Sequence, residues 1–174
     1  MNKELLSSRF FILCGMILMA ALTRLIPHYP NFTAVGAIAL FGGAYFNDRK
    51  LAFAVPVIAM FITDLIIGLH ATMLTVYISI ILTVVIGFTL KNKRNAGTIA
   101  LGAISASVMF FIITNFGMWL SGTMYPLNFA GLAECYIAAI PFYQYTALGD
   151  LFYSAVLFGA FELVRMKFPK LAVN

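Results

Sequence analysis

Charge is what this sequence has least of. Only 10% of its 174 residues are Asp, Glu, Lys or Arg, where a soluble domain carries about 25%. So small a supply cannot cover a water-facing surface. With 63% hydrophobic residues and a mean hydropathy of +0.99, the chain falls in the membrane class. Cysteine is nearly absent too. Cys14 and Cys135 have no metal or disulfide spacing, which excludes a stapled or zinc-bound scaffold. No G-x-S-x-G, H-E-x-x-H or P-loop run occurs. The chain is therefore read as no enzyme, and any energy from ATP has to come from another subunit. Internal repeats are lacking, which argues against an inverted-repeat transporter. Residues 10–26 resemble a signal-peptide core, but no small-residue cleavage site follows, so they read as a retained helix.

What the sequence does have is a series of apolar runs, at about 9–26, 33–47, 51–69, 72–90, 98–121 and 147–166. Each is compatible with a helix. The expected fold is an all-α integral membrane bundle of six transmembrane helices in a single domain over residues 1–174. The second run is short, a little over 20 Å as a helix against a hydrocarbon core of ~30 Å. It carries Gly36, Gly42 and Gly43, which permit close packing. Such a segment is tolerable only if protein covers its ends.

The net charge of +5 comes in short clusters between the runs, a topology signal rather than a nucleic-acid one. With a cytoplasmic N-terminus and six alternating spans, ten of the eleven basic residues fall inside: Lys3, Arg9, Arg49, Lys50, Lys91, Lys93, Arg94, Arg165, Lys167 and Lys170. Arg24 alone lies outside. Both termini are then cytoplasmic. Residues 122–146 contain an apolar stretch, Phe129 to Ile140, that is about 18 Å long as a helix and too short to span. It reads as a short helix and loop over the outer face, started by Asn128 and ended by Pro141.

This topology collects the chain's special residues on the outer side. His28, Asn31 and His70 lie in outer loops, with Trp119 and the aromatics Tyr125, Tyr136 and Tyr143 nearby. Arg24 either snorkels to the interface or walls a pocket. Asp64, in the outer half of the third run, costs about 3 kcal/mol in a membrane segment and needs a partner, for which Arg24 is the natural choice. Asp150 opens the sixth run and reads as a helix N-terminal charge. Glu162 and Arg165 have the spacing of a surface pair. His70 follows Gly68 at the mouth of the bundle. It is either a hydrogen-bonded structural residue or a metal ligand, neutral imidazole suiting iron and cobalt. Cys135 is the rival donor. The candidate ligand wall is thus Arg24, His28, Asn31, Asp64, His70, Trp119, Tyr125, Tyr136 and Tyr143.

The stretches "ALTRLIPHYPNFTAVGAIALFGGAYF", "DLIIGLH", "NFGMW" and "GLAECYIAAIPFY" resemble a family of uncharacterised small bacterial membrane proteins. The first is also similar, more distantly, to solitary cobalamin transporters of the BtuM type, relatives of the S-components of energy-coupling factor transporters. The resemblance implies a six-helix S-component fold in the bacterial cytoplasmic membrane. It implies a vitamin-like ligand bound from outside, most of all cobalamin or a related corrinoid, with haem as the nearest substitute. It also implies an energy-coupling ATPase module as a possible partner. In that family a cysteine after the third helix is implied to ligate cobalt; here His70 stands in about that place as candidate axial ligand. The small-residue pair at i, i+4 expected on the first helix is missing. The competing class is a cell-envelope scaffold that binds protein partners and no small molecule.

Overall fold

The structure is a computed structural model that describes residues 8–169; Lys3 and Lys170 of the expected basic clusters lie outside them. Six α-helices make up the bundle: α1 (Ser8–Leu22), α2 (Val35–Tyr45), α3 (Arg49–Ile67), α4 (Met73–Thr89), α5 (Ala96–Leu120) and α6 (Phe129–Lys167). A 3-10 turn, Thr23–Leu25, prolongs α1. No strand occurs among the described residues. Four helices, Ser8–Leu25 with the turn, Arg49–Ile67, Ala96–Leu120 and Phe129–Lys167, are long and apolar enough to cross a membrane. The other two, α2 and α4, are apolar but shorter. Large apolar side chains such as Phe11, Ile66, Leu74, Leu101 and Leu163 stay exposed on the outer faces of the helices. That pattern is wrong for water and right for lipid. The chain is a helical, membrane-associated protein.

Short polar signals start the helices. Asp48 accepts from the Lys50 N–H at 2.7 Å to open α3. Asn95 and Thr98 form a reciprocal capping box at α5. Asn128 accepts from the Gly131 N–H at 2.9 Å at α6, the start expected from the sequence.

The expected end of that helix is corrected. Pro141 does not stop it; the helix runs on for 39 residues to Lys167. It is therefore one rod of roughly 58 Å, nearly twice the hydrocarbon core, and no separate short helix lies over the bundle. A proline inside a helix removes one hydrogen bond and costs about 3 kcal/mol. Contacts on both sides of Pro141 offset this loss. The Tyr136 and Tyr143 rings each pack edge-on against Phe111 of α5, at 5.6 and 5.3 Å, and the Tyr136 hydroxyl donates to the Ile112 carbonyl at 2.6 Å.

The core is α2 itself. Ten of its eleven residues are buried, and the other five helices surround it. Its closest neighbour is α4, where Gly43 and Gly87 face each other. A Cβ built on Gly43 would lie 2.9 Å from the Gly87 Cα and overlap the Val84 carbonyl oxygen. Only glycine allows that backbone-to-backbone approach.

A buried helix must still satisfy the backbone groups at its two ends. Asp150, expected from sequence to open a helix, instead lies in the middle of α6, 3% exposed. Its carboxylate accepts from the Gly36 and Ala37 backbone N–H groups at the start of α2, and from the Ser107 hydroxyl of α5 at 2.7 Å. A side chain on Gly36 would occupy the space this carboxylate fills, its Cβ falling 2.6 Å from the Asp150 Cγ. At the other end, Arg9 of α1 donates to the Tyr45 carbonyl at 2.8 Å and Arg94 to the Ala44 carbonyl at 3.2 Å. An anion sits at the positive end of the helix dipole and cations at the negative end.

Removing the Asp150 acceptor would strand two N–H groups in the core, each at about 1–3 kcal/mol, while the Ser107 hydroxyl keeps the Ala103 carbonyl at 2.9 Å. Asp150→Leu should therefore lower the melting temperature in detergent sharply. Asp150→Asn, which keeps an acceptor oxygen, should lower it much less. Equal stability of Asp150→Leu and the parent would show that this cap does not hold α2.

Candidate functional site

A cavity of about 310 Å³ opens over the N-terminal end of α2. It exists because α2 starts only at Val35 while its neighbours continue past it. Thr33 and Val35 line the cavity beside Asp150, and the walls come from the α1 turn, the end of α3, the start of α4 and the middle of α5 and α6. Four of the residues expected from sequence meet here: Arg24, His28, Asn31 and His70. Met60, Ile67, Val76 and Phe110 supply apolar wall, and Thr146 a further hydroxyl. A smaller cavity of about 260 Å³ adjoins it, sharing Asn31, Val76, Phe110 and Thr146 and adding Tyr143, Thr114 and Asn115.

Each wall residue is held locally. Asn31 adopts φ 66°, the left-handed conformation that asparagine tolerates in tight turns. That turn is closed by the Phe32 N–H to Tyr29 carbonyl bond at 3.0 Å. The His28 Nδ1 lies 2.6 Å from the Ile26 carbonyl. A carbonyl can only accept, so Nδ1 carries the proton and a neutral His28 presents Nε2 as an acceptor. The His70 Nδ1 is 3.0 Å from the Thr72 hydroxyl, which orients the ring and leaves Nε2 for a ligand. Hydrogen bonding of one ring nitrogen while the other faces a metal is the usual arrangement of a metal-binding histidine.

Arg24 is tied down from behind. Its Nη2 lies 2.8 Å from the Asp64 Oδ1, and Asp64 is 1% exposed. No N–H points squarely at that oxygen, so the contact is an ion pair without an aligned hydrogen bond. The Tyr77 hydroxyl donates to the other carboxylate oxygen at 2.8 Å. Arg24 Nη1 also donates to the Thr63 hydroxyl. Asp64 therefore positions Arg24 rather than lining the cavity. The charges at the site cancel in place, Arg24 against Asp64 and Asp150 against the α2 N-terminus. The cavity accordingly offers donors and acceptors more than net charge.

The remaining expected residues are elsewhere. Trp119 lines neither cavity; its indole N–H donates to the Pro126 carbonyl at 3.0 Å and closes the 121–128 loop. Tyr136 is committed to α5 as described, and Tyr125 is half-buried and outside both cavities. The Cys135 sulfur is buried 3.3 Å from the Asn115 carbonyl, between α5 and α6, and does not line the cavity with His70. No cluster of three or more His, Cys, Asp or Glu suited to a metal occurs among the described residues. Sequence reasoning missed Thr33, Tyr77, Thr146 and the placement of Asp150. Among these, only Asp150 stood out in the sequence, as a carboxylate in an apolar run.

The model of a family of unknown function, DUF6580, matches residues 4–171. The chain belongs to that family. No curated protein and no solved structure matches it. The geometry of the cavity is thus what the family's function has to be argued from.

The buried Arg24–Asp64 pair makes a sharp stability prediction. Removing one partner strands a charge, at about 3–5 kcal/mol, while replacing both with apolar groups is near neutral. In detergent, Arg24→Met and Asp64→Leu should each melt well below the parent, and the double variant should recover much of the loss. Strictly additive losses would mean that the two residues do not stabilise each other.

Proposed function

We propose that the chain is a substrate-binding membrane protein of the S-component kind, taking up a vitamin-like micronutrient from outside the cell. The observation that carries this reading is the convergence of Arg24, His28, Asn31 and His70, from separate segments, on one cavity in an otherwise apolar bundle. At about 310 Å³ the cavity has the size of a small-ligand site. Its polar groups are few, oriented and backed by buried partners, which is what recognition of one small molecule requires. The absence of a P-loop from the sequence fits a binding subunit powered by a separate ATPase module.

A small heteroaromatic vitamin matches the cavity as it stands, its polar edge meeting Arg24 and the two histidines. Cobalamin, a related corrinoid or haem exceeds the volume. Such a ligand would seat only if the segments at 26–34 and 68–72 part, and His70 Nε2 would then be the axial donor. We further propose six spans in the bacterial cytoplasmic membrane, with both ends of the chain inside. In this arrangement α2 and α4 are short spans completed by their neighbours, and the cavity faces outward.

Two measurements test these proposals. Purified protein is titrated with a panel of vitamins, cobalamin and haem, followed by melting temperature and, for the coloured ligands, by absorbance. A true ligand at 100 times its Kd should add about 2.7 kcal/mol of stability, and Arg24→Met, compared with its own unliganded state, should lose that increment. If cobalamin or haem binds, His70→Ala should weaken binding and shift the visible spectrum, while Cys135→Ala leaves it unchanged. No stabilisation by any of them would overturn the uptake reading in favour of a scaffold. Topology is read with a membrane-impermeant thiol reagent on a cysteine-free background. A cysteine at position 124 should label from outside and one at position 92 should not; the reverse would invert the orientation.

A further inference from the structure

A third cavity, larger than the other two at about 440 Å³, opens at the opposite end of the bundle between the start of α5 and the second half of α6. Its wall is apolar, formed by Ile99, Leu151 and Phe158 and deepened by the small residues Ala100 and Ala155. A Cβ on Gly159 would meet no atom within 4 Å, so the groove is open there. Two polar features break this wall. Ser154 is 1% exposed, yet among the described residues its hydroxyl has no hydrogen-bond partner. A buried unpaired hydroxyl is costly, and an acceptor on an occupant of the groove would satisfy it.

The second feature is Arg94 at the groove's end. It donates to the Ala44 carbonyl and lies over the Tyr45 ring, 4.6 Å from the centroid. Among the described residues no carboxylate forms an ion pair with it. Glu162 borders the same groove, but it is engaged by Arg165 at 2.7 Å and by the Tyr45 hydroxyl at 2.7 Å. Lys91 and Lys93 precede Arg94 in the chain. The groove is thus an apolar slot with a cation at its end that, among the described residues, no carboxylate pairs, and an unsatisfied donor within.

We infer that this groove binds one anionic phospholipid. The headgroup phosphate meets the Arg94 guanidinium, an acyl chain lies along the apolar wall, and an ester carbonyl accepts the hydrogen bond that Ser154 has to give. Basic pockets between membrane helices hold anionic headgroups in this way. A free phosphate would use only the end of the groove, and a docked protein helix would leave Arg94 without its counter-charge. This inference is independent of the ligand proposed for the other cavity.

The test is native mass spectrometry of the full chain in neutral detergent, with phosphatidylglycerol and phosphatidylcholine supplied in equal amounts. Phosphatidylglycerol should be retained about fivefold over phosphatidylcholine, the factor that one cation near a headgroup contributes. Arg94→Gln should bring the ratio close to one, and Arg94→Lys, which keeps the charge, should preserve it. Gly159→Leu, whose Cβ meets no atom within 4 Å and whose side chain would occupy the groove, should remove most of the retained lipid, while Gly15→Leu, on the open face of α1, should not. Because Arg94 also caps α2, Gly159→Leu keeps the test decisive if Arg94→Gln unfolds. Equal retention of the two lipids by the parent, or unchanged retention in Gly159→Leu, would overturn the inference. So would displacement of the lipid by millimolar inorganic phosphate, which would reduce the site to an anion contact.

Discussion

Everything in this bundle is arranged around the problem of burying α2. Eleven residues form a helix of roughly 16 Å, about half the hydrocarbon thickness. The helix is too short for both ends to reach water by its own length. Free N–H and C=O groups in such a place cost several kcal/mol each. The solution is electrostatic and comes from three other parts of the chain: Asp150 of α6 at the N-terminal end, Arg9 of α1 and Arg94 of the α4–α5 connection at the C-terminal end. Each contact closes a backbone group and also places charge on the favourable side of the helix dipole. A chain so poor in charge spends three ionisable residues on one helix. Its position is therefore pinned along the bundle axis, which apolar packing alone, being non-directional, could not achieve.

The pinned position creates the candidate site. Because α2 stops short, a cavity remains above its first turn, roofed by the segment at 26–34 and walled by helices that continue. The Asp150 carboxylate serves both purposes: it caps α2 and forms part of the cavity floor. An anionic ligand cannot take the helix N-terminus, since Asp150 already holds it. Polar recognition is displaced upward, to Arg24, His28, Asn31 and His70. Arg24 in turn stays in place because Asp64, Thr63 and Tyr77 hold it and its counter-charge from below.

The parts of this arrangement that were legible in the sequence are those where a residue type conflicts with its surroundings. A carboxylate at Asp64 inside an apolar run demands a partner, and Arg24 was the available cation on that side. The short, glycine-bearing second run demands coverage by protein. Asp150 meets the same criterion, but the apolar run that contains it begins at about residue 147, so the sequence alone puts Asp150 at a helix start rather than in the middle of α6. That error follows from Pro141. Local propensity says that a helix ends there, and only the packing of Tyr136 and Tyr143 on Phe111, a contact between residues 25 to 32 positions apart in the chain, keeps the helix intact. The aromatics of residues 125–145, among them Tyr125, Tyr136 and Tyr143, read from the sequence as part of a ligand wall. Much of this cluster instead joins α5 to α6, and Phe142 and Tyr143 alone of its aromatics line a described cavity.

The two ends of the molecule use their scarce polar groups in opposite ways, and that difference bears on how the bundle would work. Over α2 every charge is matched within the protein, so the cavity can exchange a neutral or weakly charged ligand without stranding an ion in the membrane. At the other end the match is incomplete: among the described residues Arg94 has carbonyl and ring contacts but no carboxylate in an ion pair with it, and Ser154 has no acceptor. Arg94 also caps the C-terminal end of α2, whose N-terminal end floors the cavity. Whatever neutralises Arg94 therefore acts on one end of a rigid helix whose other end floors the cavity. A second discrete position for α2 would be required before that connection could carry a signal, and the close approach of Gly43 to Gly87 leaves little room for one. The geometry favours a fixed scaffold in which α2 and its charged terminations stay still.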